Sequence, residues 1–137
     1  MTSKEYLQRA KNIDAEVKSL KEQKEILYAE LTKCTVPTDI ERVGGTKINS
    51  RELKLIKLGD LIEKIEKLEI SLLVVKSEII DIIESVPNDV CRTILFERYV
   101  NFKVWHQIAR VVNYDEKYII QRLHPRALKY IEKIINS

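Results

Sequence analysis

Glycine, proline and cysteine are scarce in this chain, at three, three and two among 137 residues, and each shortage removes a class of function. So few glycines leave no glycine-rich loop to cradle a phosphate. The two cysteines, Cys34 and Cys91, lie in separate segments and fit reduced, packed thiols better than a disulfide framework. The two histidines, His106 and His124, stand eighteen residues apart with no Cys or acid pattern to complete a ligand set. Both therefore read as polar surface groups, and no metal is expected. There is no nucleophile motif, and the acids are dispersed along helical stretches where solvated faces explain them. Neither an enzyme nor a cofactor is expected. Long apolar runs are also missing, and the start, MTSKEYLQRAKNID, has no apolar core for a signal peptide. A cytoplasmic protein without membrane attachment is the expectation.

What is present is amphipathic helix. A composition of 45% hydrophobic and 33% charged residues is ordinary for a soluble helical protein. From Tyr6 the apolar positions step by four and three through Ala10, Ile13, Val17 and Leu20, then Leu27, Leu31 and Cys34, with Lys24 alone interrupting the seam. A second series keeps the same heptad spacing from Leu58 through Leu61, Ile65, Leu68, Leu72, Val75, Ile79 and Ile82 to Val86. Between them Pro37, Gly44 and Gly45 end the first helix and permit a reversal. Two helices on the order of 50 Å long are predicted, paired as an antiparallel, coiled-coil-like hairpin over residues 1–86, with Gly59 a weak spot. The second helix also carries Ile62, Ile70, Leu73, Val74, Ile80 and Ile83, more apolar surface than one partner covers. A thin two-helix core with this surplus points to association, with a homodimer through the long helices as the expectation.

Residues 87–137 form a second domain, in which Ala109, Asn113 and Ile119 fall at the positions that most constrain a helix-turn-helix. Where two short helices cross closely, only a small side chain fits on the first. Four residues on, the chain must turn through a left-handed conformation, which Asn tolerates better than most residues. Six further on, a branched apolar side chain plugs the second helix against the first. At about 100° per residue, Ile119 and Leu123 share the core side of that helix while Lys117, Gln121 and His124 share the opposite one. Asp115 is a candidate N-cap. Pro125 removes a helical hydrogen bond, so a break near His124 is expected, with a bent continuous helix as the alternative.

These residues resemble the C-terminal promoter-reading domain, region 4, of bacterial sigma factors. The match rests on Val86-Pro87, Ile94-Leu95, Arg98-Tyr99, Ile108-Ala109, Arg122-Leu123-His124 and Arg126-Ala127-Leu128. With the long charged helices in front, the chain is similar to the small sigma-like regulators encoded by phages and prophages of low-GC Gram-positive bacteria, which are associated with late-gene transcription. The resemblance implies an all-α fold, a long helical hairpin followed by a small trihelical helix-turn-helix domain. It also implies a transcriptional regulator acting in the cytoplasm of a bacterial host on double-stranded promoter DNA, with host RNA polymerase a further candidate partner. The expected DNA-contacting set is Lys103, His106, Arg110, Lys117, Ile120, Gln121, His124, Arg126 and Lys129.

The chain departs from the pattern in several places. Val104 stands where Ser or Thr usually caps the first helix, leaving Asn101 as the substitute if that helix begins a turn earlier. His106 and Gln107 replace two acids, Ile120 is apolar at an often polar position, and Asp115 and Glu116 suit the helix dipole but repel phosphate. From Asn88 to Ser137 there are nine Lys and Arg against five Asp and Glu, so the basic excess lies with the helix-turn-helix. The alternatives are an RNA polymerase-binding adaptor that does not read DNA, and a coiled-coil assembly protein with a trihelical cap.

Overall fold

Each long helix starts where a short polar side chain satisfies its orphan backbone donors. A computed structural model describes residues 1–33 and 49–137; Cys34, Pro37, Gly44 and Gly45, expected to end the first seam and reverse the chain, lie outside them. Helix α1 (Ser3–Lys33) opens with a reciprocal capping box, in which Thr2 N–H donates to Glu5 Oε1 at 2.8 Å and Glu5 N–H donates to Thr2 Oγ1 at 3.2 Å. Helix α2 (Ser50–Glu84) is capped by Asn49, whose Oδ1 accepts Glu52 N–H at 2.8 Å, and it runs through Gly59 without interruption. Helix α3 (Asp89–Tyr99) follows Pro87 and is capped by Asn88, whose Oδ1 accepts Cys91 N–H at 3.0 Å. Then come α4 (Trp105–Val112), a short α5 (Glu116–Tyr118), a π-helical turn (Ile119–Leu123) and α6 (His124–Ile135). The described residues contain no strand, so the fold is all-α as expected. No helix among them is long and apolar enough to cross a membrane.

The chain divides into two compact units, and the division does not fall at residue 86. One unit is Ala15–Ile70; the other joins Met1–Asp14 to Ser71–Ser137. Within Ala15–Ile70 the helices are antiparallel: Lys21 pairs with Glu69 at 3.0 Å, Lys54 with Glu30 at 3.8 Å, and Arg51 donates to Leu31 O at 3.1 Å. Val17, Leu20, Leu31 and Ile65 are buried along its seam, and Lys24 is half-buried in it.

The other unit has two cores because α3 is apolar on two sides. On one side Cys91, Leu95 and Tyr99 pack with Leu7 and Ala10 of α1, with Ile79 and Ile83 from the end of α2, with Val86 just beyond it, and with Ala127 and Ile131 of α6. On the other, Ile94 packs with Ile108, Ile119 and Leu123, flanked by Val90, Trp105, Ala109 and Val112. The trihelical domain is therefore not closed on itself. Its larger core recruits the ends of both long helices, since a short three-helix unit offers too little apolar surface of its own. This recruitment also covers part of the surplus on α2: Ile83 is buried and Ile80 half-buried, whereas Ile62, Ile70, Leu73 and Val74 remain exposed.

Candidate nucleic-acid interface

The turn between α4 and α5 is built as the sequence predicts. Asn113 adopts the left-handed conformation (φ 59°, ψ 40°) as the C-cap of α4, and its N–H donates to Ala109 O at 2.9 Å. Ile119 is wholly buried and sits in one core with Ile108, against which Ala109 packs. Small residue, left-handed turn and apolar plug thus meet in one place. Among the described residues only one other non-glycine has positive φ, Phe102 at 58° in the link from α3 to α4. A bulky residue is strained there by about 1–3 kcal/mol. Its ring packs against the larger core, with the Lys76 ammonium 4.9 Å from its centroid.

The start of α4 needs no side-chain cap from Asn101. Val104 takes the N-cap position with extended backbone, and Gln107 reaches back so that its Oε1 accepts Val104 N–H at 3.4 Å. Only the N3 half of a capping box is formed, because a valine side chain has nothing to accept with. Asn101 instead donates to Glu97 Oε1 at 3.0 Å. Asp115 occupies the N-cap of α5, and its carbonyl accepts Ile119 N–H at 3.0 Å, but its carboxylate makes no capping bond.

The expected break at Pro125 does not occur. Leu123 (φ −73°, ψ −42°) and His124 (φ −64°, ψ −47°) are both helical, so α5, the π turn and α6 form one continuous path. The π turn is what admits the proline. His124 N–H bonds back five residues to Ile119 O rather than four, and this wider loop relieves the crowding that the ring would meet in an α-helix.

That turn also overturns the placement of His124. A π turn uses one extra residue, which rotates everything beyond it by about 100° relative to an unbroken α-helix. His124, expected beside Lys117 and Gln121, is swung inward and is only 8% exposed. Its Nε2 lies 2.7 Å from Tyr99 Oη, and its ring meets Trp105 edge-on with centroids 4.6 Å apart. Burial, reinforced by Lys4 and Arg98, pushes its pKa down to about 4, and burial pushes Tyr99 up to about 12. Neutral His124 is thus a structural link between α3, α4 and α6 and not a DNA-reading residue. The Arg98 guanidinium stacks over Trp105 at 4.4 Å and donates to Lys103 O at 3.1 Å, closing the cluster.

The other expected contacts divide. Arg110, Lys117, Ile120, Gln121, Arg126 and Lys129 are exposed. His106 is exposed too, with Nδ1 3.7 Å from Glu116 Oε1. Lys103 is half-buried and its ammonium is paired with the Glu97 carboxylate, which reduces what it offers a phosphate. Lys129 lies twelve residues beyond Lys117, roughly 18 Å along the helix, where it shares a shallow surface with Glu132, Lys133 and Asn136. Arg122 is the residue that the α-helical wheel misses. It is exposed, five residues after Lys117 across the π turn and four before Arg126, which puts the three cations on adjoining positions of one side. Beside them Tyr114 and Tyr118 stack at 5.7 Å, each 43% exposed. Cys91 is a buried free thiol whose pKa burial raises. Among the described residues no three His, Cys, Asp or Glu side chains lie close enough to hold a metal ion. Comparison of the chain with protein-family models, curated proteins and solved structures returned no match.

Proposed function

We propose that this chain is a DNA-binding transcriptional regulator that lays the helix beginning at Glu116 into the major groove of promoter DNA. The observation that carries this reading is the α4–Asn113–α5 turn, with Ile119 plugged into the core while Lys117, Gln121, Arg122 and Arg126 stay in solvent. A helix held rigidly by its inner face and presenting a mixed cationic and amide outer face has the two capacities that DNA reading needs. Lysine and arginine neutralise phosphates, and arginine and glutamine form bidentate contacts with guanine and adenine edges. The acids Asp115 and Glu116 oppose phosphate approach at the first turn, so Lys117 and the residues after it carry the contact. As the sigma-like resemblance implies, the promoters are those of phage late genes, read in the cytoplasm of a bacterial host.

The test is binding of the full chain to fragments of its native genome, followed by footprinting on any fragment retained. A salt-dependent footprint is expected, and the Lys117→Ala, Gln121→Ala, Arg122→Ala triple variant should lose it with unchanged helicity. Each residue that reads a base directly contributes about 1–3 kcal/mol. Unaltered binding by the triple variant rejects this face as the reader.

A second reading, a polymerase-docking adaptor, is favoured by the exposed Val111, Tyr114 and Tyr118, since aromatic side chains in water suit a protein contact. Binding of purified polymerase that survives the triple substitution but not Tyr114→Ala with Tyr118→Ala would select it.

A further inference from the structure

Among its described residues the unit Ala15–Ile70 exposes more large apolar side chains than it fully buries. Its buried apolar side chains among the described residues are Val17, Leu20, Leu31 and Ile65, while Ile26, Leu53, Leu55, Ile56, Ile62 and Ile70 are 39% to 63% exposed. One face carries a groove of about 470 Å³ with Ile26, Leu27 and Leu61 among its lining, edged by Gln23 and Glu30 on α1 and by Lys57, Asp60 and Lys64 on α2. We propose that this groove is filled by the same groove of a second copy, giving a four-helix bundle.

The charges on the edges decide the occupant and its orientation. Lys21 is level with Glu69 and Glu30 with Lys54, so Glu30 stands at the Lys57 end of the groove and Gln23 at the Lys64 end. A two-fold axis parallel to the helices preserves these levels and lays α1 of one copy over α2 of the other. Glu30 then meets Lys57 of the second copy, Ile26 and Leu27 meet its Leu61, and Gln23 meets its Lys64. Asp60, lying between the two lysines, keeps cations on both sides. A two-fold axis across the helices reverses the levels and sets Lys57 against Lys64, a like-charge contact that opposes pairing. The first arrangement is self-complementary, as an isologous interface has to be. The groove spans eight residues of each helix, about 11 Å, and pairing that continues along the roughly 30 Å of α1 and α2 in this unit would bury roughly 600 Å² per copy, hence roughly 1,200 Å² in all, at the lower end of stable interfaces.

Sedimentation equilibrium of the full chain without DNA tests this independently of the DNA reading. The wild type should be a dimer. Glu30→Lys and Lys57→Glu should each weaken dimerisation at least tenfold at low salt, because each sets like charges together. An equimolar mixture of the two variants should recover near wild-type association, because both repulsions become attractions in the mixed pair. Ile26→Ser, at a side chain 63% exposed within its own chain, should loosen the dimer with unchanged helicity. A wild type that stays monomeric to about 100 µM overturns the proposal. So does tight pairing of either charge variant alone, wild-type association of the Ile26 variant, or a mixture that fails to recover.

Discussion

His124 carries its ring into the seam of α3, α4 and α6, where a proton would strand a charge against Tyr99 and Trp105. Its folded pKa of about 4 lies below the ordinary 6.5, so between these values the unfolded chain binds more protons than the folded one. Stability from this residue is therefore complete above pH 6.5 and is lost as the pH falls towards 4. Between pH 7 and pH 5 the loss is about 2 kcal/mol. Urea titrations should show wild type losing about that much more than His124→Gln, which keeps a hydrogen-bonding group for Tyr99 but does not titrate. Parallel losses would place the ring in solvent. Asn113 is a second residue whose backbone sets its value. At φ 59°, Asn113→Gly should be neutral or slightly stabilising, whereas Asn113→Val should cost about 1–2 kcal/mol in thermal or chemical unfolding. Equal melting of the two would mean that the left-handed turn is not held in solution.

The elements around this turn show what a sequence alone discloses. The offsets from Ala109 to Asn113 to Ile119 are legible because they express local sterics: a close helix crossing and a left-handed residue are demanded whatever surrounds them. So are the two heptad seams, whose inward positions are buried or half-buried throughout the described residues. The π turn is not legible, because no local preference selects it. It is chosen by where Ile119 and Leu123 must both point, and by the Tyr99 hydroxyl waiting for His124 from a helix twenty-five residues earlier. One extra residue in one turn then misplaces His124 and hides Arg122, so an error of phase becomes an error about the site. Ala109→Leu tests the crossing itself. The added volume has to push α4 away from the buried Ile119, and destabilisation of about 1–3 kcal/mol with loss of DNA binding is expected from paired unfolding and binding titrations. Normal stability would show that the two helices do not approach closely at residue 109.

At the scale of the whole molecule, the expected domain boundary at residue 86 fails for an energetic reason that can be measured. The core beneath α3 and α6 includes Leu7 and Ala10 from α1, Ile79 and Ile83 from α2 and Val86 just after it, all nearly or wholly buried. Burying a branched aliphatic side chain contributes about 1.5–3 kcal/mol, so a fragment of residues 87–137 forfeits roughly 6–12 kcal/mol from four such residues before Ala10 is counted. A domain has only about 5–15 kcal/mol of stability in total. That fragment should therefore lack a cooperative thermal transition, although it contains the entire helix-turn-helix. Extending it to residues 71–137 restores the α2 side chains but still leaves the sites of Leu7 and Ala10 open, and a weak transition is expected. Adding a peptide of residues 1–14 should sharpen that transition and raise its midpoint in proportion to peptide concentration, as binding to the folded state requires. For the same reason Leu72→Asp, at a side chain packed against this core, should weaken the C-terminal unit as well as the long-helix seam. A cooperatively melting 87–137 fragment would show that the second core, around Ile94, Ile108, Ile119 and Leu123, is enough by itself, and that the helix-turn-helix does not depend on the long helices for its stability.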